Sequence, residues 1–213
     1  SLDRTHQAQV LCHEEDDPTL AALRDRAAAL GIWLSIGSLA LQGGDDGRFV
    51  NRSFLIAPNG DIAARYDKIH MFDVNVSPTE TFRESEGYAP GDRAVIAQAD
   101  FAMLGLSVCY DVRFAYLYRA LAQAGAEILL IPAAFSPVTG AAHWEPFLRT
   151  RAIDTGCFLV AAAQTRTPPA HSCPTRKTYG HSLAVSPWRE VLFASVTSPR
   201  FFDGQLDLSQ PST

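Results

Sequence analysis

One cysteine occupies a position from which a side chain could act as a nucleophile. Cys109 follows the apolar run at 103–108 and precedes a predicted helix at 114–124, so it stands where a strand exits towards a helix. Backbone N–H groups and the helix N-terminus lie close to a thiol in that position, and both favour the thiolate and stabilise an oxyanion. Cys109 is therefore a candidate nucleophile. The alternative is a buried, inert cysteine, which is what most lone cysteines are.

A lysine lies at the end of the first predicted hairpin. Lys68 stands in the segment 65–72, which reads Arg-Tyr-Asp-Lys-Ile-His-Met-Phe. Partly buried beside Cys109, it would place a positive charge near a thiolate or donate to a developing oxyanion. A lysine is more often a solvated surface residue, so this interpretation requires burial.

The composition favours a globular protein and argues against two classes of partner. Of the 213 residues, 47% are hydrophobic and 19% are charged, and the formal net charge is −5. A nucleic-acid-binding protein normally carries a basic surface, and no run of Lys or Arg occurs. The longest apolar stretch, 128–135, is far shorter than the roughly 20 residues that span a bilayer. We therefore expect neither a nucleic-acid partner nor a membrane.

The cysteines and histidines do not have the spacing of a metal site. Four cysteines are widely separated, and six histidines form neither His-x-His nor His-Glu-x-x-His. Ser107 lies in Gly-x-Ser-x-Cys rather than the Gly-x-Ser-x-Gly of serine hydrolases, and no glycine-rich nucleotide motif occurs. Residues 1–7 contain no apolar signal segment. The sequence thus predicts no metal, no cofactor and a reducing, cytoplasmic location.

Periodicity and turn residues predict the elements that position these side chains. The acidic pair at 16–17 can cap a helix at 18–30 that ends at Gly31. The Asn-Gly pair at 59–60 is a strong hairpin signal, because both turn residues must accept positive φ. The remaining predictions are strands at 32–41, 128–134, 157–163 and 201–208, hairpins at 51–66, 94–108 and 181–194, helices at 114–124 and 142–155, and loops at 71–91 and 165–178.

The order of these elements predicts the fold class. Helices and strands alternate along the chain, but several hairpins intrude. Hairpins need antiparallel pairs, so we expect an α/β fold with mixed rather than purely parallel sheets. Neither an internal repeat nor a low-complexity linker divides the chain, and residues 1–213 are expected to form a single domain.

Two segments together resemble a known family. The pairing of Tyr-Asp-Lys-Ile-His-x-Phe-Asp (66–73) with Cys-Tyr-Asp-x-Arg-Phe (109–114) is similar to the nitrilase superfamily of carbon–nitrogen hydrolases. The resemblance is strongest to the Nit branch, the amidases that repair deaminated glutathione or cleave ω-amides of keto acids. It continues through the segments 139–145, 149–153, 161–164, 179–182 and 186–188.

The resemblance implies an αββα sandwich and a set of catalytic residues. Cys109 matches the nucleophile that attacks an amide carbonyl, gives a thioester and releases ammonia. Lys68 matches the lysine that steadies the tetrahedral oxyanion, with the backbone N–H of Tyr110 as second donor. Glu84 matches an additional active-site glutamate that positions the lysine or the substrate.

Other residues would form the substrate pocket. Arg113 and Glu145 match residues that line or brace it. Arg113 and Arg52 are also candidates for holding a substrate carboxylate, since a guanidinium fork matches a carboxylate bidentately. The implied partners are a small-molecule amide and water, without a cofactor, and the family's habit of pairing implies a homodimer or higher homo-oligomer.

The family's general-base glutamate has no counterpart in this sequence. It lies upstream of the lysine, and counting back from Lys68 places it just before Ser1, with the first strand, first helix and second strand of the fold. Glu14 and Glu15 are the nearest carboxylates on the N-terminal side. We expect them to cap the helix at 18–30 rather than act in catalysis.

Three explanations for this departure stay open. The sequence is a partial record of an intact enzyme, a natural truncation, or an inactive relative that binds a metabolite or a partner without catalysis. We favour the first, because loss of two core strands would expose a sheet edge and apolar surface. A smaller departure is Arg189, where the family has glycine after Pro-Trp. We expect it to alter a turn and not the chemistry.

Overall fold

Three of the α-helices that the structure describes were predicted from the sequence, and the one at Arg4–Val10 was not. The computed structural model describes residues 4–77, 80–166, 177–195 and 203–209. Its α-helices are α1 (Arg4–Val10), α2 (Pro18–Leu30), α3 (Ala115–Gln123) and α4 (Pro137–Thr155). Short 3₁₀ turns cover Glu14–Asp16, Glu84–Glu86 and Cys109–Arg113. None of the helices in these ranges is both long and apolar enough to cross a membrane.

Helix α2 has the ends that its sequence predicts. The Asp17 carboxylate accepts a hydrogen bond from Leu20 N–H at 2.7 Å, and Pro18 occupies the first turn, where no N–H is needed. Gly31 ends the helix in the left-handed conformation at φ 61°. The apolar face of α2 buries Leu20 and Ala27.

The strands form two larger sheets and two small hairpins. In chain order they are β1 (Leu34–Gln42), β2 (Phe49–Ile56), β3 (Ile62–Asp67), β4 (Asp73–Ser77), β5 (Glu80–Arg83), β6 (Tyr88–Ala89), β7 (Val95–Gln98), β8 (Met103–Leu106), β9 (Ile128–Leu130), β10 (Phe158–Ala161), β11 (Thr165–Arg166), β12 (Thr178–Tyr179), β13 (Ser182–Val185) and β14 (Val191–Ser195). The small hairpins are β4–β5 and β11–β12.

The first sheet carries the predicted Asn-Gly hairpin. Strand β2 pairs antiparallel with β1 on one side and with β3 on the other. The turn between β2 and β3 places Gly60 at φ 85°, a conformation that favours glycine. Strand β6 adds a short parallel pairing beside Phe49 and Val50. Lys68 directly follows the last residue of β3, so this hairpin sets its position.

The second sheet is mixed, as predicted. Its six strands run in the order β14-β13-β10-β9-β8-β7. The central strands β8, β9 and β10 are parallel, and antiparallel hairpins, β7–β8 and β13–β14, extend the sheet on both sides. Cys109 follows the end of β8, a central strand of this sheet.

Two apolar cores define the layers. One packs α2 against the first sheet and includes Leu20, Ile36 and Phe54. The other joins residues of the first sheet, such as Tyr66, to the second sheet and to α3 and α4, where Trp144 is fully buried. The order is therefore helix, sheet, sheet, helix, which confirms the expected αββα sandwich.

Several element predictions were wrong. The segment 71–91 is not one loop, because it contains the hairpin β4–β5, a 3₁₀ turn and β6. Helix α4 begins at Pro137, five residues earlier than predicted, and carries Pro146 in its interior. Residues 203–207 form no strand, and 201–202 lie outside the described residues. The predicted loop 165–178 contains β11 and the start of β12, and its centre, 167–176, is likewise outside the described residues.

Arg189 adopts a conformation that suits glycine. It lies in the turn between β13 and β14 at φ 62°, where its N–H donates to Ser186 O at 2.9 Å. The Arg149 guanidinium donates to Arg189 O at 2.5 Å. The departure noted in the sequence therefore alters a turn, as expected, and it places a non-glycine residue in the left-handed region.

Replacing this residue by glycine tests the strain. We expect Arg189→Gly to raise the free energy of unfolding by about 1 kcal/mol, because an L-residue in this region costs roughly 1–2 kcal/mol and the greater freedom of unfolded glycine offsets part of the gain. Urea unfolding measures the change. Gly31→Ala is the matched control: at φ 61°, with no atom within 4 Å of the added Cβ, it should lose a similar amount. An unchanged or lowered stability of Arg189→Gly would contradict this account.

Candidate active site

Cys109 sits in a tight turn with an uncommon backbone conformation. It has φ 52°, and its N–H donates to Pro132 O at 2.9 Å, which ties the turn to the chain beyond β9. The next bond, from Asp111 N–H to Val108 O at 3.1 Å, closes the turn around the cysteine. The N–H of Tyr110 takes no part in these bonds. The sequence-based picture of a cysteine at a strand exit agrees with this arrangement.

Lys68 is buried, the condition that its proposed role requires. Its side chain is only 3% exposed, and its ammonium contacts the carboxylate of Glu84. Its backbone is fixed on both sides: Lys68 N–H donates to Asn51 O at 2.9 Å, and Gly91 N–H donates to Lys68 O at 2.9 Å. The solvated-surface alternative for this lysine is therefore wrong.

Glu84 lies at the start of the 3₁₀ turn after β5 and faces Lys68. One oxygen, Oε2, accepts from Lys68 Nζ and from Phe72 N–H at 2.6 Å. The other, Oε1, accepts from Asn51 Nδ2 at 3.3 Å. The carboxylate thus meets one charge and two neutral donors, which compensates for its removal from water.

Asp111 connects the cysteine turn to the lysine segment. Its side chain is completely buried and accepts hydrogen bonds from Tyr66 OH at 2.7 Å and Val108 N–H at 2.8 Å. It also accepts from His70 N–H at 3.0 Å and lies 2.7 Å from His70 Nδ1. Tyr66 and His70 flank Lys68, so one carboxylate holds both candidate catalytic segments. Burial, followed by the Asp111 charge, raises the pKa of Tyr66 far above its usual value.

Aromatic contacts close the same interface. The rings of His70 and Phe114 stack at 3.7 Å with an interplanar angle of 8°. The Tyr110 ring meets Phe72 edge-on at 5.0 Å and Phe114 at 5.5 Å. Residues that follow Lys68 are therefore in contact with residues that follow Cys109, which brings the two predicted segments together.

Arg113 lies among aromatic rings, and Glu145 lies at the surface. The Arg113 guanidinium is 4.9 Å from the centre of the Phe147 ring, and Nη2 is 3.3 Å from His143 Nδ1. No carboxylate of the described residues forms an ion pair with it. Glu145 is exposed and pairs with Arg149 one turn later on α4 at 2.7 Å. The structure thus leaves Arg113 open to an anion and gives Glu145 a surface partner.

The N-terminal carboxylates and Arg52 do not behave as expected. Glu14 does not cap α2; its two oxygens pair with Arg52 at 2.9 Å and with Arg65 at 2.7 Å. Arg52 also binds Asp67 bidentately at 2.7 and 2.8 Å. Its guanidinium is therefore engaged within the protein, and we withdraw it as a candidate for a substrate carboxylate. Glu15 lies in the 3₁₀ turn before α2.

The described part of the chain contains neither a candidate metal site nor a disulfide. No group of three or more His, Cys, Asp or Glu side chains there could hold a metal ion. Cys12, Cys109 and Cys157 carry thiols rather than disulfides. Cys173 and His171 lie outside the described residues.

Three supporting side chains were missed from the sequence. Tyr66 and Asp111 lie inside the two motif segments but received no role, and Asn51 lies in a strand. The available signal was clearest at Asn51, a polar residue in a largely apolar strand, whereas Tyr66 and Asp111 lie among other polar residues. Such residues are buried only when hydrogen-bonded, so each of them needed a partner.

Gly91, whose N–H donates to Lys68 O, provides a test of how closely its backbone must approach the backbone at Asp67 and Lys68. A Cβ at Gly91 would lie 2.2 Å from Asp67 O and 3.0 Å from the Asp67 side chain. Gly91→Ala should therefore push the loop away from Lys68 O and lower the free energy of unfolding by about 2 kcal/mol or more. Gly37→Ala in β1 is the control, because its Cβ would meet only Pro132 Cβ at an ordinary 3.5 Å. Equal stability of the two variants in urea unfolding would refute the close approach.

Comparisons with known proteins agree on one family. The sequence model of the family described as carbon-nitrogen hydrolase matches residues 1–207. The deaminated glutathione amidase of Yersinia enterocolitica is 41% identical over 179 residues, 83% of this chain and 61% of that protein. The omega-amidase NIT2 of Homo sapiens is 36% identical over 188 residues, 88% of this chain and 66% of that protein. The chain thus spans less than two thirds of the length of these relatives.

A solved structure adds the fold and the chemistry of a relative. It is a variant of the amidase from Nesterenkonia sp. AN1, with the acetamide moiety of fluoroacetamide added covalently at its active-site cysteine. It matches with a TM-score of 0.75 at 25% identity and covers 93% of this chain and 70% of that chain. From the αββα layers, the two motif segments brought together by Asp111 and the family match over 1–207, we conclude that the chain belongs to the carbon–nitrogen hydrolase family.

Proposed function

We propose that this chain carries the active site of an amidase. It hydrolyses a C–N bond of a small carboxylate-bearing amide, such as deaminated glutathione or an ω-amide of a keto acid, and releases ammonia or an amine. The observation that carries this proposal is the buried Lys68–Glu84 pair held next to the Cys109 turn. The names of the relatives, deaminated glutathione amidase and omega-amidase, support the substrate class.

The proposed nucleophile is Cys109. Its sulfur attacks the amide carbon, and the electron pair of the C=O bond moves to oxygen. Lys68 Nζ and the N–H of Tyr110 stabilise that oxyanion. The C–N bond then breaks, and the nitrogen takes the proton that the thiol gave up and leaves as ammonia. Water attacks the thioester and returns the thiol with the free acid. The covalent adduct at the cysteine of the Nesterenkonia amidase supports this assignment.

Glu84 is the proposed catalytic partner of Lys68. Its contact with the ammonium fixes the direction of the Lys68 side chain, so that Nζ meets the oxyanion without searching rotamers. The proposed mechanism also needs a general base that receives the thiol proton. Glu14 is not that base, because both of its oxygens are held by arginines.

Arg113 is the proposed anchor for the substrate carboxylate. Its guanidinium has no carboxylate partner among the described residues, and it lies four residues after the nucleophile among three aromatic rings. Such a guanidinium can bind a substrate carboxylate through two N–H groups. Glu145 is kept as a further residue that braces the pocket, through its ion pair with Arg149 on α4.

The organisation of the protein is part of the same proposal. Residues 1–213 form a single carbon–nitrogen hydrolase domain, which acts in the cytoplasm as a homodimer or higher homo-oligomer. The resemblance to the Nit branch supports this assembly. Exposed apolar side chains on α3 and α4, Tyr116 and Ile153, are compatible with it.

The first functional prediction concerns the nucleophile. Cys109→Ala in the full-length protein should lower the rate of ammonia release from an ω-amide by about 10³-fold or more, because no other group replaces the attacking sulfur. Cys12→Ala, which removes another half-buried thiol, is the control and should leave the rate unchanged. Hydroxylamine should trap the acyl group from the wild-type enzyme and from Cys12→Ala, but not from Cys109→Ala.

Equal ammonia release by Cys109→Ala and wild type would remove Cys109 as nucleophile. A folded wild-type protein that releases no ammonia but binds the amide, measured by calorimetry, would favour the alternative of a nitrilase-like binding module without catalysis.

The second functional prediction concerns Arg113. Arg113→Gln should raise KM for a carboxylate-bearing amide about tenfold or more and leave kcat within about threefold, since a charge-assisted bond to the substrate is lost. Arg113→Lys keeps the charge without the fork and should give an intermediate KM. Arg119→Gln on the exposed face of α3 is the control. An equal rise of KM for a neutral amide, measured by ammonia release, would show that Arg113 does not read the carboxylate.

A further inference from the structure

A buried carboxylate that takes no direct part in the proposed chemistry lies between the two catalytic segments. Asp111 has no exposed surface, and the described hydrogen-bond partners of its carboxylate lie within two residues of Lys68 or Cys109. Val108 precedes Cys109, while Tyr66 and His70 stand two residues before and after Lys68.

The partners of Asp111 indicate an ionised carboxylate with every bond satisfied. An ionised carboxylate only accepts, and each of its partners can donate: a phenol, two backbone N–H groups and an imidazole nitrogen. His70 Nδ1 therefore carries a hydrogen in this arrangement. An asparagine in place of Asp111 would turn an NH₂ group towards donors and leave at least one of them unpaired.

The backbone conformation of Cys109 requires hydrogen bonds from neighbouring residues that hold it in place. A non-glycine residue at φ 52° persists only when its surroundings over-determine it. The Asp111 carboxylate accepts from Val108 N–H, and the Asp111 backbone N–H donates to Val108 O. Asp111 therefore closes the turn around Cys109 with both its side chain and its backbone. The same side chain holds the segment that carries Lys68.

We propose that Asp111 is a positioning residue that fixes Lys68 Nζ relative to Cys109 Sγ. The proposal rests on the proposed function, in which Lys68 and Cys109 act on the same substrate carbon. Tyr66 and His70 transmit the constraint, because their bonds to Asp111 set the course of the chain on both sides of Lys68.

A pair of buried tyrosines gives a matched test. Tyr66 and Tyr118 are both fully buried, but Tyr66 OH binds Asp111, whereas Tyr118 OH lies 2.7 Å from Ser107 Oγ. Ser107 Oγ also donates to Leu130 O, so it keeps a partner when the Tyr118 hydroxyl is removed. Tyr66→Phe and Tyr118→Phe each remove one buried hydroxyl, and they should differ in their effect on the site.

The first measurement is the rate at which iodoacetamide alkylates Cys109 at pH 7, followed by mass spectrometry with Cys12 as internal reference. The second is kcat and KM for an ω-amide. Tyr66→Phe should slow Cys109 alkylation about fivefold and lower kcat about tenfold with KM little changed, because a displaced Lys68 stabilises thiolate and oxyanion less. Asp111→Asn should lower kcat about 100-fold. Tyr118→Phe should change each of these by less than twofold.

The alkylation rates separate the two proposals. Slower alkylation in Tyr66→Phe but not in Tyr118→Phe, in a protein that releases no ammonia, would retain the positioning role and reject the amidase. Equal alkylation rates in the two tyrosine variants would overturn the positioning role even where amide hydrolysis is observed. Because this comparison uses only the tyrosine variants, it stands even if Asp111→Asn does not fold.

Discussion

The hydrogen bonds to the buried Asp111 carboxylate are the interaction on which the rest of the site depends. Leaving a charge in the interior is costly unless donors replace water, and here a phenol, an imidazole and two backbone groups do so. These donors come from two sheets, through β3 and the turn after β8. The two layers of the sandwich are therefore joined by polar bonds at the point where Lys68 and Cys109 meet, while apolar packing joins them elsewhere.

A buried ion pair, that of Lys68 with Glu84, is compensated in the same way and lies closer to the reacting atoms. Lys68 and Glu84 are removed from water together, and Asn51 and Phe72 N–H satisfy the carboxylate oxygens that the ammonium leaves over. Such a pair contributes little net stability, but it restricts the ammonium to one direction. The hairpin β4–β5 is part of this arrangement, since it leads the chain to Glu84 opposite the end of β3.

The sequence could predict the elements with strong local signals and the reactive residues with a motif. The cap of α2 at Asp17 and the Asn-Gly turn are local features, and both were found where expected. The hairpin β4–β5 was missed because its strands are short: the alternation of polar and apolar residues in β4 covers only five residues, and β5 has four. The roles of Asp111 and Arg52 could not be read locally, because the partners that join them to other segments lie 15 to 45 positions away in the chain. Residue type and the motif resemblance made Lys68 and Cys109 candidates, and their catalytic roles stay predictions. Only the fold shows that Arg52 is already engaged.

The left-handed backbone at Cys109 also limits which nucleophiles could arise at this position by mutation. Serine has the shape of cysteine and would meet the same backbone penalty, so a change of sulfur for oxygen stays within reach. Threonine, whose branched Cβ makes positive φ a severe outlier, does not fit the turn. The turn that presents the thiol is therefore compatible with a serine nucleophile at this position and incompatible with a threonine nucleophile.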